Sequence, residues 1–410
     1  MNPHRSTRRE LLLASGALFA WAYLPRIALA EGRDPRLLVV VLRGALDGLA
    51  AVAPVGDPDW IALRGKDAVR LDGPEPALAL DNFFALNAAM PNLHRLYKAR
   101  QAGIVHAVAS PYRERSHFDG QDVLESGLMR PGATDSGWLN RALAGLPAAG
   151  RVNPKQAFAV GPITPLVARG PAPVLSWTPP RLQPASNDTM SRLLDLYRHS
   201  DPALAHALEE RSALSAIAKG DMVPAMKAAA QPGVPGAAVR AYFSEAASAA
   251  AKFMARPDGP RVGALAFDGW DTHANEGAAK GRLAALLGAL DGAVAAVESG
   301  MGEAWKDTAM VVITEFGRTA RINGTEGTDH GTATVALLAG GAIKGGRVIS
   351  DWPGLKPANL YEGRDLKPTT DLRAVLKGLL HDHLRADEAK LADVVFPGSG
   401  NVKPMQGLVG

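Results

Sequence analysis

The amino-acid sequence predicts an α/β fold: a mostly parallel, doubly wound sheet carrying a helical, Ala/Pro/Gly-rich cap insertion. Three observations predict it. Residues 37–42, 103–108, 262–267, 310–314 and 335–339 are short, mainly apolar runs rich in β-branched residues, without the polar alternation of a strand that has one wet face. Parallel strands covered on both faces read this way. Between several of these runs lie stretches of helical spacing, residues 90–101, 118–125, 282–297 and 371–380; strands that alternate with helices indicate a doubly wound sheet. Finally, 410 residues with 47% hydrophobic and 21% charged content bury a large core, which excludes a disordered chain or a small disulfide scaffold.

The first element is an export signal. Ser6-Thr7-Arg8-Arg9-Glu10-Leu11-Leu12 precedes an apolar run over residues 11–24, and Ala28-Leu29-Ala30 places small residues where a signal peptidase cuts. The run is shorter than the roughly 20 residues a membrane-spanning helix needs, and Pro25 and Arg26 close it, so no stable membrane anchor is expected. The paired arginines resemble a twin-arginine signal, whose pathway exports folded proteins. Residues 1–30 are therefore read as a cleaved signal, the twin-arginine translocase as a partner during export, and the periplasm or the exterior as the destination. A general secretory signal with an incidental Arg-Arg pair is the alternative. Of the formal charge of +4, the signal carries most, because Arg5, Arg8, Arg9 and Arg26 oppose only Glu10. The near-neutral body gives no electrostatic case for nucleic acid.

The mature chain, residues 31–410, reads as one α/β domain. From about residue 140 to 258 Ala, Pro and Gly dominate, strand signals are weak, and helical patterns cover 203–217 and 237–254. That stretch is read as a cap-like insertion, because strands of the earlier character resume after it.

The polar groups next to the strands form a short set. Asp47 follows the first, in the turn Arg43-Gly44-Ala45-Leu46-Asp47-Gly48; Arg113, Arg115, Ser116 and His117 follow the second; Asp268, Asp271 and His273 follow the third. Glu315, Arg318 and Arg321 follow the fourth, and Asp329 and His330 precede the fifth. Ligands of open α/β sheets bind at the carboxyl ends of the strands. With no cysteine in the chain, a metal must sit on His, Asp or Glu, a donor set that suits Zn, Mn or a similar divalent ion, singly or in pairs. Each residue also has a plainer use. Asp47 is compatible with a turn Asp before Gly, Asp271 with a helix cap, Ser116 with an N-cap, and Glu315 with a simple ion pair to Arg318. His94, His106, His199, His206, His381 and His383 lack clustered partners and are read as surface or core residues.

These motifs, with Arg115-Ser116-His117-Phe118, Phe267 to His273, Thr314-Glu315-Phe316-Gly317-Arg318-Thr319, Thr328-Asp329-His330-Gly331 and Phe396-Pro397-Gly398, resemble the DUF1501 family in order over essentially the whole mature chain. That family is grouped with the alkaline phosphatase and sulfatase superfamily, whose members hold one or two metals at the carboxyl end of a mostly parallel sheet. The resemblance implies Asp47 as a first-strand metal ligand, Ser116 as the nucleophile opening its helix, Asp271 with His273 as ligands of one metal, and His330 with Asp329 as the later ligands. Glu315 stands where relatives have an Asp-His pair, so Phe316 replaces one imidazole. Asp271 and His273 are closer together than the usual ligand pair, with Asp268 a competitor. Ser110-Pro111-Tyr112-Arg113 does not meet the sulfatase maturation pattern, so no formylglycine is expected. Two ions, one ion and none all remain compatible with the residues.

Two functions follow. In the first, an exported metal-dependent hydrolase attacks phosphate or sulfate esters, small or polymeric, through Ser116. Asp47 and Glu315 would hold one ion, and Asp271, His273 and His330 another. Arg115 and Arg318 would clamp the equatorial oxygens, and His117 would be a ligand or a general acid. In the second, a non-catalytic exported protein of the same fold binds a polymer or a protein partner. The first requires Asp47, His273 and His330 to converge and Ser116 Oγ to face Asp47 and Glu315. Replacing Arg8 and Arg9 with Lys is expected to leave folded precursor in the cytosol, because the pair is read by a receptor rather than by charge; normal processing of that variant in cell fractionation would remove the twin-arginine assignment.

Overall fold

A computed structural model describes residues 32–410, except 133, 147–156, 161–163, 173, 258 and most of 178–236. The expected signal at residues 1–30 and nearly all of the helix expected over 203–217 lie outside the described residues. In chain order the strands are β1 (Arg36–Arg43), β2 (Val52–Ala53), β3 (Leu78–Ala79), β4 (Ala85–Leu86), β5 (Ala102–Ala109), β6 (Ala157–Val160), β7 (Val174–Trp177), β8 (Val262–Asp268), β9 (Thr308–Thr314), β10 (Thr334–Ala339), β11 (Val348–Ile349) and β12 (Thr370–Asp371). Among the described residues, nine strands form one sheet in the order β11-β5-β10-β9-β1-β8-β6-β7, with β12 beside β5, while β2, β4 and β3 make a small separate sheet.

The pairings of β1 with β8 and β9, of β6 with β7 and β8, and of β5 with β11 and β12 are parallel. β10 alone runs against both of its neighbours in the large sheet, β5 and β9. The mostly parallel α/β architecture expected from the apolar runs is therefore present, and each of the five expected strands is found with its ends extended by no more than two residues. The reversal of β10 has no counterpart in its composition. Its consequence is positional: the loop before β10 reaches the same sheet edge as the loops after β1, β5, β8 and β9.

The continuous apolar character of β1 has a direct cause. Leu38, Val40 and Leu42 point into one core layer and Leu37, Val39 and Val41 into the other. The helices that matter are α1 (Gly48–Ala51), α2 (Trp60–Arg64), α3 (Pro91–Lys98), α4 (His117–Ser126), α5 (Trp138–Gly145), α6 (Ala237–Ala255), α7 (Arg282–Met301) and α8 (Leu372–Gly378). The first layer is closed by α3, α6 and α7 through Leu93, Leu96, Phe243, Ala247, Leu290 and Val294. The second is closed by α5 and α8 through Trp138, Leu139, Val375 and Leu376. α7 with the turn after it is long and apolar enough to cross a membrane, but its Leu283, Leu287, Leu290 and Val294 are buried against the sheet.

The described parts of residues 140–258 belong to this body. β6 and β7 extend the sheet beyond β8, and α6 packs along α7 on its face. Weak strand signals there reflect short strands at the sheet margin, where a few residues suffice.

Asp47 also acquires its place through the fold. Its carboxylate caps α1, accepting from the Leu49 and Ala50 N–H groups at 3.1 and 3.3 Å. The same carboxylate takes both terminal nitrogens of Arg64, a side chain as fully buried as its own. Arg64→Leu, which leaves that carboxylate buried without its ion partner, is expected to lower the unfolding free energy by about 3–5 kcal/mol. A denaturant titration reads this directly, and a loss below about 1 kcal/mol would make the pair dispensable.

Candidate functional site

Five loops, after β1, β5, β8 and β9 and before β10, meet at one sheet edge. The turn after β1 passes over the loop after β8 so closely that a Cβ on Gly44 would lie 2.5 Å from the Asp271 nitrogen, and the φ of Gly44 is +119°. The segment after β9 pairs with the loop before β10 through Gly317 N to Thr332 O, Gly331 N to Gly317 O and Thr319 N to Asp329 O. A Cβ on Gly317 would fall 1.9 Å from the Ala333 oxygen. The loops that carry Asp271 and His273, and Asp329 and His330, are bonded directly through Asn275 N to Thr325 O, Glu276 N to Glu326 O and Thr328 N to Thr272 O. Glu276, buried between them, accepts from Thr272 and Thr328 at 2.8 Å each, and burial, with the Asp47 charge, pushes it up to about 7.

Three imidazoles converge here, each held from behind. His117 Nδ1 lies 2.8 Å from Glu315 Oε1, His273 Nδ1 lies 3.2 Å from Asp329 Oδ1, and His330 Nδ1 lies 2.9 Å from the Arg115 carbonyl oxygen. A carbonyl or ionised carboxylate can only accept, so each Nδ1 carries the proton, and with an ion between them the neutral rings would turn their Nε2 lone pairs to it. The Nε2 atoms face Asp271. They lie 3.6 Å (His117), 3.2 Å (His273) and 3.7 Å (His330) from its carboxylate oxygens, with His273 Nε2 and His330 Nε2 separated by 2.9 Å. His117 Nε2 is buried and has no hydrogen-bond partner, although a buried polar atom is ordinarily satisfied.

The electrostatics sort these groups. Burial alone would raise the Asp271 carboxyl, but the hydrogen bond and charge of Arg318, with His273 and His117, hold it below its ordinary range. Burial acts upward on Glu315 as well, and hydrogen bonds from His117, Thr314 and Gln121 outweigh it. The Glu315 hydrogen bond raises His117 against the effect of burial. His330 moves the other way, lowered by burial and then by the charges of His117 and Arg318. Ionised carboxylate and bare ring nitrogen are the forms that coordinate a divalent ion. Among the described residues, His117, Asp271 and His330 offer ligand atoms that all lie within 4.8 Å of one another. The orphaned His117 Nε2 and this donor set fit one metal ion, with His273 beside it as a further donor.

Several expected roles change. Asp47 does not join the convergence, because α1 and Arg64 occupy its carboxylate. Both Glu315 oxygens are occupied: Oε1 accepts from His117, Gln121 and the Gly44 N–H, and Oε2 accepts from Thr314. It holds the His117 ring through Nδ1, and Asp329 stands to His273 in the same way. Ser116 Oγ folds back to cap α4, accepting from the Asp119 N–H at 3.5 Å, so it does not point at Asp47 and Glu315. Arg318 is buried and donates to the carbonyls of Gly44, Ala45, Trp270 and Thr328 and to Asp271, so it fastens loops rather than clamping an oxyanion. Arg115 turns its guanidinium to Asp365 and Glu362.

Three contributors went unread in the sequence. Arg64 ends the short helix α2 and Asp365 lies in a loop, neither with a motif of its own. Gln121 carried a readable signal, four residues after His117 on one helix face. Phe316, where an imidazole was expected, stacks on His117 with ring centroids 5.0 Å apart.

The family described as "Protein of unknown function (DUF1501)" matches residues 99–395. No curated protein matches the chain. Among solved structures, the chain is similar to the C-terminal periplasmic domain of EcEptC from Escherichia coli in complex with Zn, at 11% identity and a TM-score of 0.36, over 79% of this chain and 77% of that one. It is also similar to the phosphonate monoester hydrolase of Agrobacterium radiobacter, at 11% identity and a TM-score of 0.36, over 77% of this chain and 70% of that one.

Glu315→Gln keeps every ligand atom in place but removes the charge behind His117. It is expected to weaken zinc affinity about 10–100-fold, measured by competition with a chromophoric chelator. Unchanged affinity would reduce Glu315 to a packing residue.

Proposed function

The chain belongs to the DUF1501 family, and on the geometry of its site we propose that it is an exported, metal-dependent hydrolase of phosphate or sulfate esters. One observation carries the proposal: three imidazoles, each with Nδ1 pinned by an acceptor, turn Nε2 toward a single carboxylate. Three histidines and an acid without cysteine suit zinc, and manganese is the next candidate. The proposal takes the sheet as one of the alkaline phosphatase and sulfatase type, and takes residues 1–30 as the signal that exports it.

A divalent ion bound there would polarise the ester and acidify a water molecule. The chain's own residues do the rest. Glu315, Asp329 and the Arg115 carbonyl keep the protons on the outer ring nitrogens, so that no imidazole rotates away. Arg318 holds Asp271 ionised and in place. The amino end of α4, ten residues long, lies beside the site and favours negative charge arriving on the substrate. With Ser116 engaged as a cap, water rather than the serine hydroxyl is the nucleophile this arrangement favours.

Elemental analysis of the purified chain is expected to give one equivalent of metal, absent from Asp271→Ala and His330→Ala, together with hydrolysis in a panel of aryl phosphates, phosphodiesters and sulfates. Ser116→Ala is expected to keep both metal and turnover while losing about 0.5–2 kcal/mol of stability. Loss of turnover with metal retained would return the nucleophilic role to Ser116. A metal-free wild-type protein inert on every ester would favour the reading as a binding protein.

A further inference from the structure

We infer that the site takes tetrahedral esters bearing a single negative charge, phosphodiesters or sulfate monoesters, in preference to dianionic phosphate monoesters; this rests on the metal-site reading above. The charge of the site sets this preference. Arg115 and Arg364 both touch the loop of His330, the first through its carbonyl oxygen and the second by a guanidinium bond to the His330 carbonyl. Their charges are already cancelled: Asp365, fully buried, takes both guanidiniums, and Glu362 takes Arg115 as well. Asp271, Glu315 and Asp329 remain in contact with the imidazoles. Among the described residues, the cation bonded to one of them is Arg318, and its N–H groups are occupied by four carbonyls and Asp271.

With the three rings neutral, as ligation requires, the described groups in contact with the imidazoles and Arg318 leave a surplus of two negative charges. One divalent ion neutralises it and no more. A dianionic substrate therefore enters a centre with no excess positive charge, close to carboxylates that repel it and partly shielded from water, where such repulsion is least screened. A singly charged ester meets half that opposition. Sites built for dianions keep guanidinium groups free for bidentate contact, whereas the guanidiniums touching these ligand loops are engaged.

The test uses the full chain loaded with cobalt, whose visible spectrum reports what reaches the metal. Dimethyl phosphate and methyl sulfate are titrated against phenyl phosphate at pH 8, where the last is a dianion. The singly charged probes are expected to bind at least about tenfold more tightly. Lowering the pH through the second phosphate pKa, about 6, is expected to narrow the ratio, because phenyl phosphate then becomes a monoanion. Equal or tighter binding of the dianion at pH 8, or a ratio that does not change with pH, overturns the inference. Hydrolysis of the corresponding aryl esters is followed in parallel. Binding in the expected order without turnover of any ester would count against the hydrolase proposal and leave the charge selectivity standing. Failure of cobalt to bind would remove the metal site and the inference with it.

Discussion

The guanidinium of Arg318 holds the site edge together. Buried at the end of β9, it takes carbonyls from the turn after β1, from the loop after β8 and from the loop before β10, and its last contact is Asp271. A planar group with five donors in a fixed fork suits this work, because it satisfies backbone acceptors that three converging loops would otherwise leave unpaired. The cation also keeps Asp271 ionised. Loop geometry and ligand charge thus depend on one side chain, and lysine, with a single flexible ammonium, could not span the same acceptors.

Carboxylates at this sheet edge divide by what stands behind them. Asp47 and Glu315 are both buried and both follow strands, yet neither reaches the centre: Asp47 is matched by Arg64 and an α1 cap, Glu315 by a ring, an amide and a hydroxyl. Asp271 is half exposed and keeps oxygen atoms turned toward three ring nitrogens. Desolvation explains the division, since a fully buried carboxylate survives only when its acceptors are occupied, and an occupied carboxylate is a poor ligand.

The sheet was legible because burial on both faces leaves an unbroken apolar run, and β1, β5, β8, β9 and β10 all show it. The reversal of β10 was not, because an antiparallel strand enclosed by parallel neighbours is buried in the same way and so has the same composition. β6 and β7 were missed for a different reason, being four residues each, too few for a periodic signal. In the site, Asp271, His273 and His330 were legible as polar residues at strand-adjacent turns. Their division of labour with Glu315, Asp329 and Asp47 was not, because it depends on partners such as Arg64 and Arg115 that are distant in sequence and carry no local pattern.

The reversed strand has a consequence for synthesis. His117 and the carboxylate behind it are separated by 198 positions, and His273 and His330 by 57. Chains emerge from the ribosome amino end first, so His117 is made long before the groups that orient it, and His330 becomes fixed only when β10 inserts between β5 and β9. A nascent chain that stops short of β10 carries His330 but lacks the strand that its loop leads into. A metal held by these residues would therefore need β10 in place between β5 and β9, and its occupancy would report on assembly of the sheet rather than on local sequence.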